Sequence, residues 1–162
     1  MCYDFPAIEA LLFFMEETAE ERAWREGGRN ALQSAAMVVI YDELTYIAMG
    51  EPLDIENIVS SLLEKPYEEC DVFVKAAAIY AVKYRDEAIS KFNANMRKWT
   101  FDRLNRVEQA ILLLAYVHFY AIEKDVSKKV VISVAIRLAK LYLEAERYKF
   151  VNAILDHSLV RE

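Results

Sequence analysis

Arg147, Tyr148 and Lys149 stand consecutively in a chain of 162 residues, with Asn152 one helical turn further on. Two cations flanking an aromatic ring can neutralise a phosphate and stack a base, which is how single-stranded RNA is gripped. The same three residues also suit a solvated helix start whose ring partly covers the core. Asn152 has the donors and acceptor to bond a base edge or a sugar, or equally to hold a neighbouring loop backbone. Lys128 and Lys129, with Lys124 nearby, form a second cluster where a helix should begin. Free backbone N–H groups at a helix start attract phosphate and lysines add to that pull, although solvated surface lysines are the commoner case. Arg97, Lys98, Arg103 and Arg106 surround Trp99. They either extend an RNA-facing surface or solvate a loop between two helices, and the loop is the simpler reading.

Other reactive side chains point away from catalysis. His118 lies among Tyr116, Phe119 and Tyr120 in an apolar stretch, where a histidine is expected in the core with one hydrogen bond. His157, close to the end of the chain, is expected to be exposed. Cys2 and Cys70 are the only cysteines, so no disulfide framework and no repeated metal-ligand spacing is expected, and reduced thiols suit the cytoplasm. The acid pairs Glu16-Glu17, Glu20-Glu21 and Glu68-Glu69 read as solvated helix faces. With no Ser–His–Asp order, nucleotide loop or metal motif, an enzyme is not expected, and neither is a cofactor or metal.

Helices must position these groups. Three glycines and three prolines are too few for the turns of a β-sandwich. The apolar residues recur at three- and four-residue spacing instead. A first helix is expected from Asp4 to Gly27-Gly28, with Ile8, Leu11, Leu12 and Met15 inward. A second runs from Asn30 to Met49 and stops at Gly50 and Pro52; a third follows Asp54 and closes at Pro66. The fourth is read as one long helix from Asp71 to Trp99, burying Val72, Ala76, Ile79, Ala81, Val82, Ile89, Phe92 and Met96. The fifth, Leu104 to Ile122, is apolar almost all round and belongs at the centre of a bundle. The sixth starts after Ser127 and the last spans Ala145 to Leu159. The expectation is an all-α bundle of about seven helices in a single domain, with an N-terminal subdomain over 1–66 and a C-terminal one over 67–162. No stretch reads as a signal peptide or a membrane span. Residues 1–60 carry twelve acids against three bases, and residues 61–162 fourteen against seventeen. Any RNA contact is therefore expected from the second half.

Four motifs keep one order and spacing over about sixty residues of this sequence. They are Trp99-Thr-Phe-Asp-Arg-Leu-Asn-Arg-Val-Glu-Gln-Ala-Ile-Leu112, Lys129-Val-Val-Ile132, Ala135-Ile-Arg-Leu-Ala-Lys140 and Lys149-Phe-Val-Asn-Ala-Ile-Leu-Asp156. Together they resemble the NusB family of transcription antitermination factors. The resemblance implies a NusB-like helical fold and recognition of short single-stranded boxA-type RNA. It also implies a NusE-like small-subunit ribosomal protein as partner within an RNA polymerase antitermination complex. The residues expected to meet RNA are Lys128, Lys129, Arg147, Tyr148, Lys149 and Asn152.

The chain also departs from the family pattern. Family members begin with an arginine-rich segment leading into the first helix, whereas this chain opens Met1-Cys-Tyr-Asp-Phe-Pro6, with its nearest arginines at Arg22, Arg25 and Arg29. The family's fifth-helix arginine is Leu113, its glutamate is His118, and its Ile-Asn-Glu is Ile132-Ser133-Val134. The proline before the sixth helix is missing at Val126-Ser127. These changes admit a second expectation, a protein-interaction module that keeps the fold without RNA affinity.

Overall fold

The computed structural model describes residues 28–161, so the helix expected between Asp4 and Gly27 lies outside the described residues. Within them the chain is all-helical, with seven α-helices and no strand. Helix α1 spans Arg29–Met49 and ends at Gly50, whose φ of +70° is a left-handed conformation that glycine adopts without a Cβ clash. Asp54 opens α2 (Ile55–Leu63) by accepting from the Asn57 N–H at 3.0 Å. Asp71 does the same for α3 (Val72–Lys83), accepting from the N–H groups of Phe73 and Val74.

The long fourth helix expected from Asp71 to Trp99 is instead two helices. α3 stops at Tyr84, where φ −103° and ψ 11° leave the helical region, and α4 (Arg85–Ala94) restarts at once. The helix then ends five residues short of Trp99 because asparagine side chains compete for backbone groups. Asn93 Oδ1 accepts from the Phe101 N–H at 2.7 Å, and Asn95 Nδ2 donates to the Lys91 carbonyl at 2.9 Å. The inward face differs too. Val74, Ala77, Ala78 and Ala81 are buried, whereas Val72 and Ile79 are 75% and 43% exposed. α3 is apolar on most sides, so spacing alone leaves its rotation undetermined.

Asn105 caps α5 (Arg106–Val117), accepting from the Glu108 N–H at 2.8 Å. Every residue from Ala110 to Phe119 is buried, and α1, α3, α6 and α7 all pack on this helix. It widens into a π-turn over His118–Ile122. The turn is clasped by the end of the chain. Arg161 donates to the Phe119 carbonyl at 2.7 Å, and the Tyr120 hydroxyl accepts from Lys91 Nζ and from the Val160 N–H. Ser127 caps α6 (Lys128–Tyr142), which turns back antiparallel into α7 (Arg147–Ser158). Glu146, at φ +73°, makes that turn in a left-handed conformation that a side chain disfavours by about 1 kcal/mol.

One continuous cluster of buried side chains runs from Ala35 on α1 to Leu159 past α7. Among the described residues, no helix is long and apolar enough to cross a membrane. Among the same residues, no three side chains of metal-binding type come together.

Candidate nucleic-acid interface

The N-terminal end of α5, the last turns of α1 and the α6–α7 turn meet around a groove of about 480 Å³. Trp99, Arg103, Arg106, Arg147, Tyr41 and Tyr142 line it, together with the acids Glu108 and Glu144. Trp99 is 48% exposed, and the Arg103 guanidinium lies 5.5 Å from its ring centre. The Asn105 cap fixes the first turn of α5 and thereby aims Arg106 across to α1. There Arg106 donates to Thr45 Oγ1 at 3.1 Å and sits 5.9 Å from the Tyr41 ring. An aromatic plane beside a guanidinium presents both a stacking surface and a phosphate-binding fork.

Arg147 enters the groove from α7 already engaged. Its Nε donates to Glu108 Oε1, and its guanidinium stacks 4.5 Å from the Phe150 ring. Glu108 is 1% exposed, so the arginine neutralises a carboxylate that would otherwise be buried alone. That bond raises the pKa of Arg147 and keeps it charged.

The other expected RNA residues lie along α6 and α7. Tyr148 is half-buried with Lys140 Nζ 4.7 Å from its ring centre, and Lys149 is exposed with its Nζ 3.4 Å from Glu146. Asn152 is exposed one turn on. Lys128 caps the far end of α7, donating to the Asp156 carbonyl and lying 3.2 Å from its carboxylate; Lys129 beside it is exposed. Nine residues of helix separate Arg147 from Asp156, so the two expected clusters stand about 14 Å apart along the helix axis. Arg147, Tyr148, Lys149 and Asn152 share the first turns of α7 but only Arg147 lines the groove, and Lys128 and Lys129 stand at the opposite end of the hairpin.

The structure groups Arg147 instead with Trp99, Arg103 and Arg106, whose simpler reading from sequence was loop solvation. The Trp99 motif held the signal, because its basic residues run straight into the Asn105 cap. Tyr41 and Lys140 carried none, since only the packing of α1 on α5 and of α6 on α7 brings them in. His118 is buried as expected, with Phe73 edge-on at 5.2 Å, but among the described residues Nε2 makes no hydrogen bond, and it lies 3.6 Å from Glu123. Burial lowers its pKa, against a smaller opposing pull from Glu123.

Charge is partitioned along the chain. Residues 1–27 hold seven acids and two arginines, and residues 28–161 hold eighteen acids and eighteen bases. The net charge of −6 is therefore −5 from the first 27 residues and −1 from Glu162, and the helical body is neutral. The acidity of the whole chain gives that body no long-range repulsion toward RNA.

Comparison with known proteins agrees with this architecture. The model of the NusB family matches residues 33–159. The transcription antitermination protein NusB of Oceanobacillus iheyensis is 31% identical over 103 residues, covering 64% of this chain and 79% of that protein. The namesake from Finegoldia magna is 25% identical over 135 residues, covering 83% and 95%. The solved structure of T. maritima NusB superposes with a TM-score of 0.65 at 26% identity, over 82% of this chain and 94% of that one. The family match begins at Gln33, inside α1, so the segment leading into the first matched helix holds Arg22, Arg25 and Arg29 and not Met1–Pro6. With its family model matched over most of its length and its helices superposing on a NusB structure, the chain belongs to the NusB family.

Proposed function

We propose that the chain is a transcription antitermination or termination factor that binds single-stranded boxA-type RNA together with a NusE-like small-subunit ribosomal protein. It acts without covalent chemistry, as part of an RNA polymerase antitermination complex in the cytoplasm. The observation that carries this reading is the groove in which Trp99, Arg103, Arg106 and Arg147 converge. RNA phosphates meet the guanidinium groups and an unstacked base lies on Trp99. Tyr148, Lys149 and Asn152 continue the surface along α7, and Lys128 and Lys129 mark its far end.

Trp99 and Arg103 are the residues to test, because both are exposed and neither supports a buried group. Trp99→Ala removes a stacking surface worth about 1–3 kcal/mol, and should weaken binding roughly tenfold with little change in stability. Arg103→Glu should weaken it further and flatten the salt dependence. Fluorescence anisotropy with a labelled boxA-like RNA, with and without the ribosomal protein, checks both. Unchanged affinity in both variants would move the RNA elsewhere.

Lys128, Arg147 and Lys149 each stand beside an acid of this chain, which favours a second reading as a protein-interaction module. Capture of the ribosomal protein with no RNA affinity under any salt condition would select that reading.

A further inference from the structure

The groove that gathers Arg103, Arg106 and Arg147 also holds Glu108 and Glu144, so three guanidinium groups against two carboxylates leave it a net charge of +1. Glu108 is buried and taken up by Arg147. Glu144 is different. Its side chain is exposed, and among the described residues it forms no ion pair. A groove that bound phosphate alone would gain nothing from this second carboxylate, which repels every phosphate oxygen it meets.

The α6–α7 turn holds Glu144 in place. Its carbonyl accepts from the Arg147 N–H at 3.2 Å, and Glu146 closes the turn at φ +73°. The pKa of Arg147, raised first by the bond to Glu108, is raised also by the Glu144 charge, so the Glu144 carboxylate stands close to that guanidinium. Trp99 lines the same groove at 48% exposure. An aromatic platform, a phosphate fork and an exposed acceptor thus share a space of about 480 Å³.

A carboxylate can only accept hydrogen bonds. Among the four RNA bases, guanine alone sets two donors side by side on its pairing edge, N1–H and the N2 amino group, at the spacing of two carboxylate oxygens. Adenine and cytosine place an acceptor beside their amino group, and uracil flanks its one N–H with two carbonyls. Each of these turns a lone pair toward the second carboxylate oxygen. Stacking on an aromatic ring tolerates every base, so the choice falls to the acid.

We propose that Glu144 selects a guanine base stacked on Trp99, accepting from its N1–H and N2 amino group. This rests on the groove being the RNA site. Glu144 then gives the groove a sequence preference at one nucleotide, while Arg103, Arg106 and Arg147 meet the backbone around it.

The test compares the unaltered protein with Glu144→Gln, which replaces one acceptor of the fork by a donor. The probes are a labelled uridine strand with one central guanosine, the same strand with inosine or adenosine there, and a boxA-like RNA, all with the ribosomal protein present. Inosine lacks only the N2 amino group of guanosine. The unaltered protein is expected to bind the guanosine strand roughly tenfold more tightly than the inosine strand, and the variant to bind the two about equally. The tenfold ratio should hold across a salt series in which both affinities fall, because this bond releases no counterion. If the boxA-like RNA bound but the unaltered protein did not distinguish guanosine from inosine, the inference would be overturned and the RNA reading kept. A variant that bound every strand more tightly with its guanosine preference intact would also overturn it, leaving Glu144 as a repelling charge. Binding of no RNA by either protein would overturn the inference and the RNA reading together.

Discussion

Glu43→Gln is expected to stabilise the protein by several kcal/mol, up to about 5, at pH 8 and by little near pH 4. Glu43 sits on α1 at 1% exposure, and among the described residues neither carboxyl oxygen has a hydrogen-bond partner. Burial, and then the neighbouring Asp42 charge, push its pKa up from 4.5 to about 9. At pH 8 the folded protein therefore holds a proton that the unfolded chain has released. The unfolded state binds fewer protons across this window, so stability falls as pH rises from 4.5 toward 9 and is fully retained below it. Glutamine fills the same space and cannot ionise, so it removes the slope. Asp42, raised to about 6 by burial, keeps its own slope at lower pH, and the comparison is cleanest above that value. Urea unfolding of both proteins between pH 6.5 and 8.5, a range set around these values, measures the effect. Parallel pH profiles would show that Glu43 is ionised and solvated.

Arg147→Ala should cost about 3 kcal/mol, more than an exposed helix-start arginine normally does. The cost comes from stranding Glu108, which at 1% exposure has no water to replace the guanidinium. Pairing the change with Glu108→Gln should recover much of the loss, because the buried charge is then gone as well. A double-mutant cycle by thermal unfolding reads the coupling, and additive losses would show that the two side chains act independently. This coupling also governs how RNA experiments are read. Reversing charge at Arg147 sets two carboxylates together and unfolds the α5–α7 contact, whatever its role in RNA binding. Arg103 and Trp99 carry no such burden.

The fold was legible wherever a boundary has local chemistry. Asp54, Ser127, Gly50 and Pro52 mark helix ends through hydrogen bonds and φ preferences that depend on a few adjacent residues. The break at Tyr84 has no such marker, since neither glycine nor proline stands there and the helix resumes at once. The rotation of α3 was equally hidden, because Val72 and Ile79 are as apolar as Val74 and only packing against α1 separates them. The candidate site was legible as residue types and not as a place. Arg147 and Trp99 each stood out, but they are forty-eight positions apart, and it is the packing of α5 against α7 that sets them on one groove.

The clasp at the chain's end ties together elements with separate origins. A π-turn frees carbonyls that a regular helix would use, and here Arg161 takes the one from Phe119 while Tyr120 holds Val160. With Lys91 of α4 on the same hydroxyl, the last residues connect α4, the end of α5 and the tail beyond α7. Opening this end is then a single event shared by three elements. Amide protons around Phe119–Ile122 should exchange at the rate set by the tail's detachment, although α5, which runs into this turn, is buried from Ala110 onward.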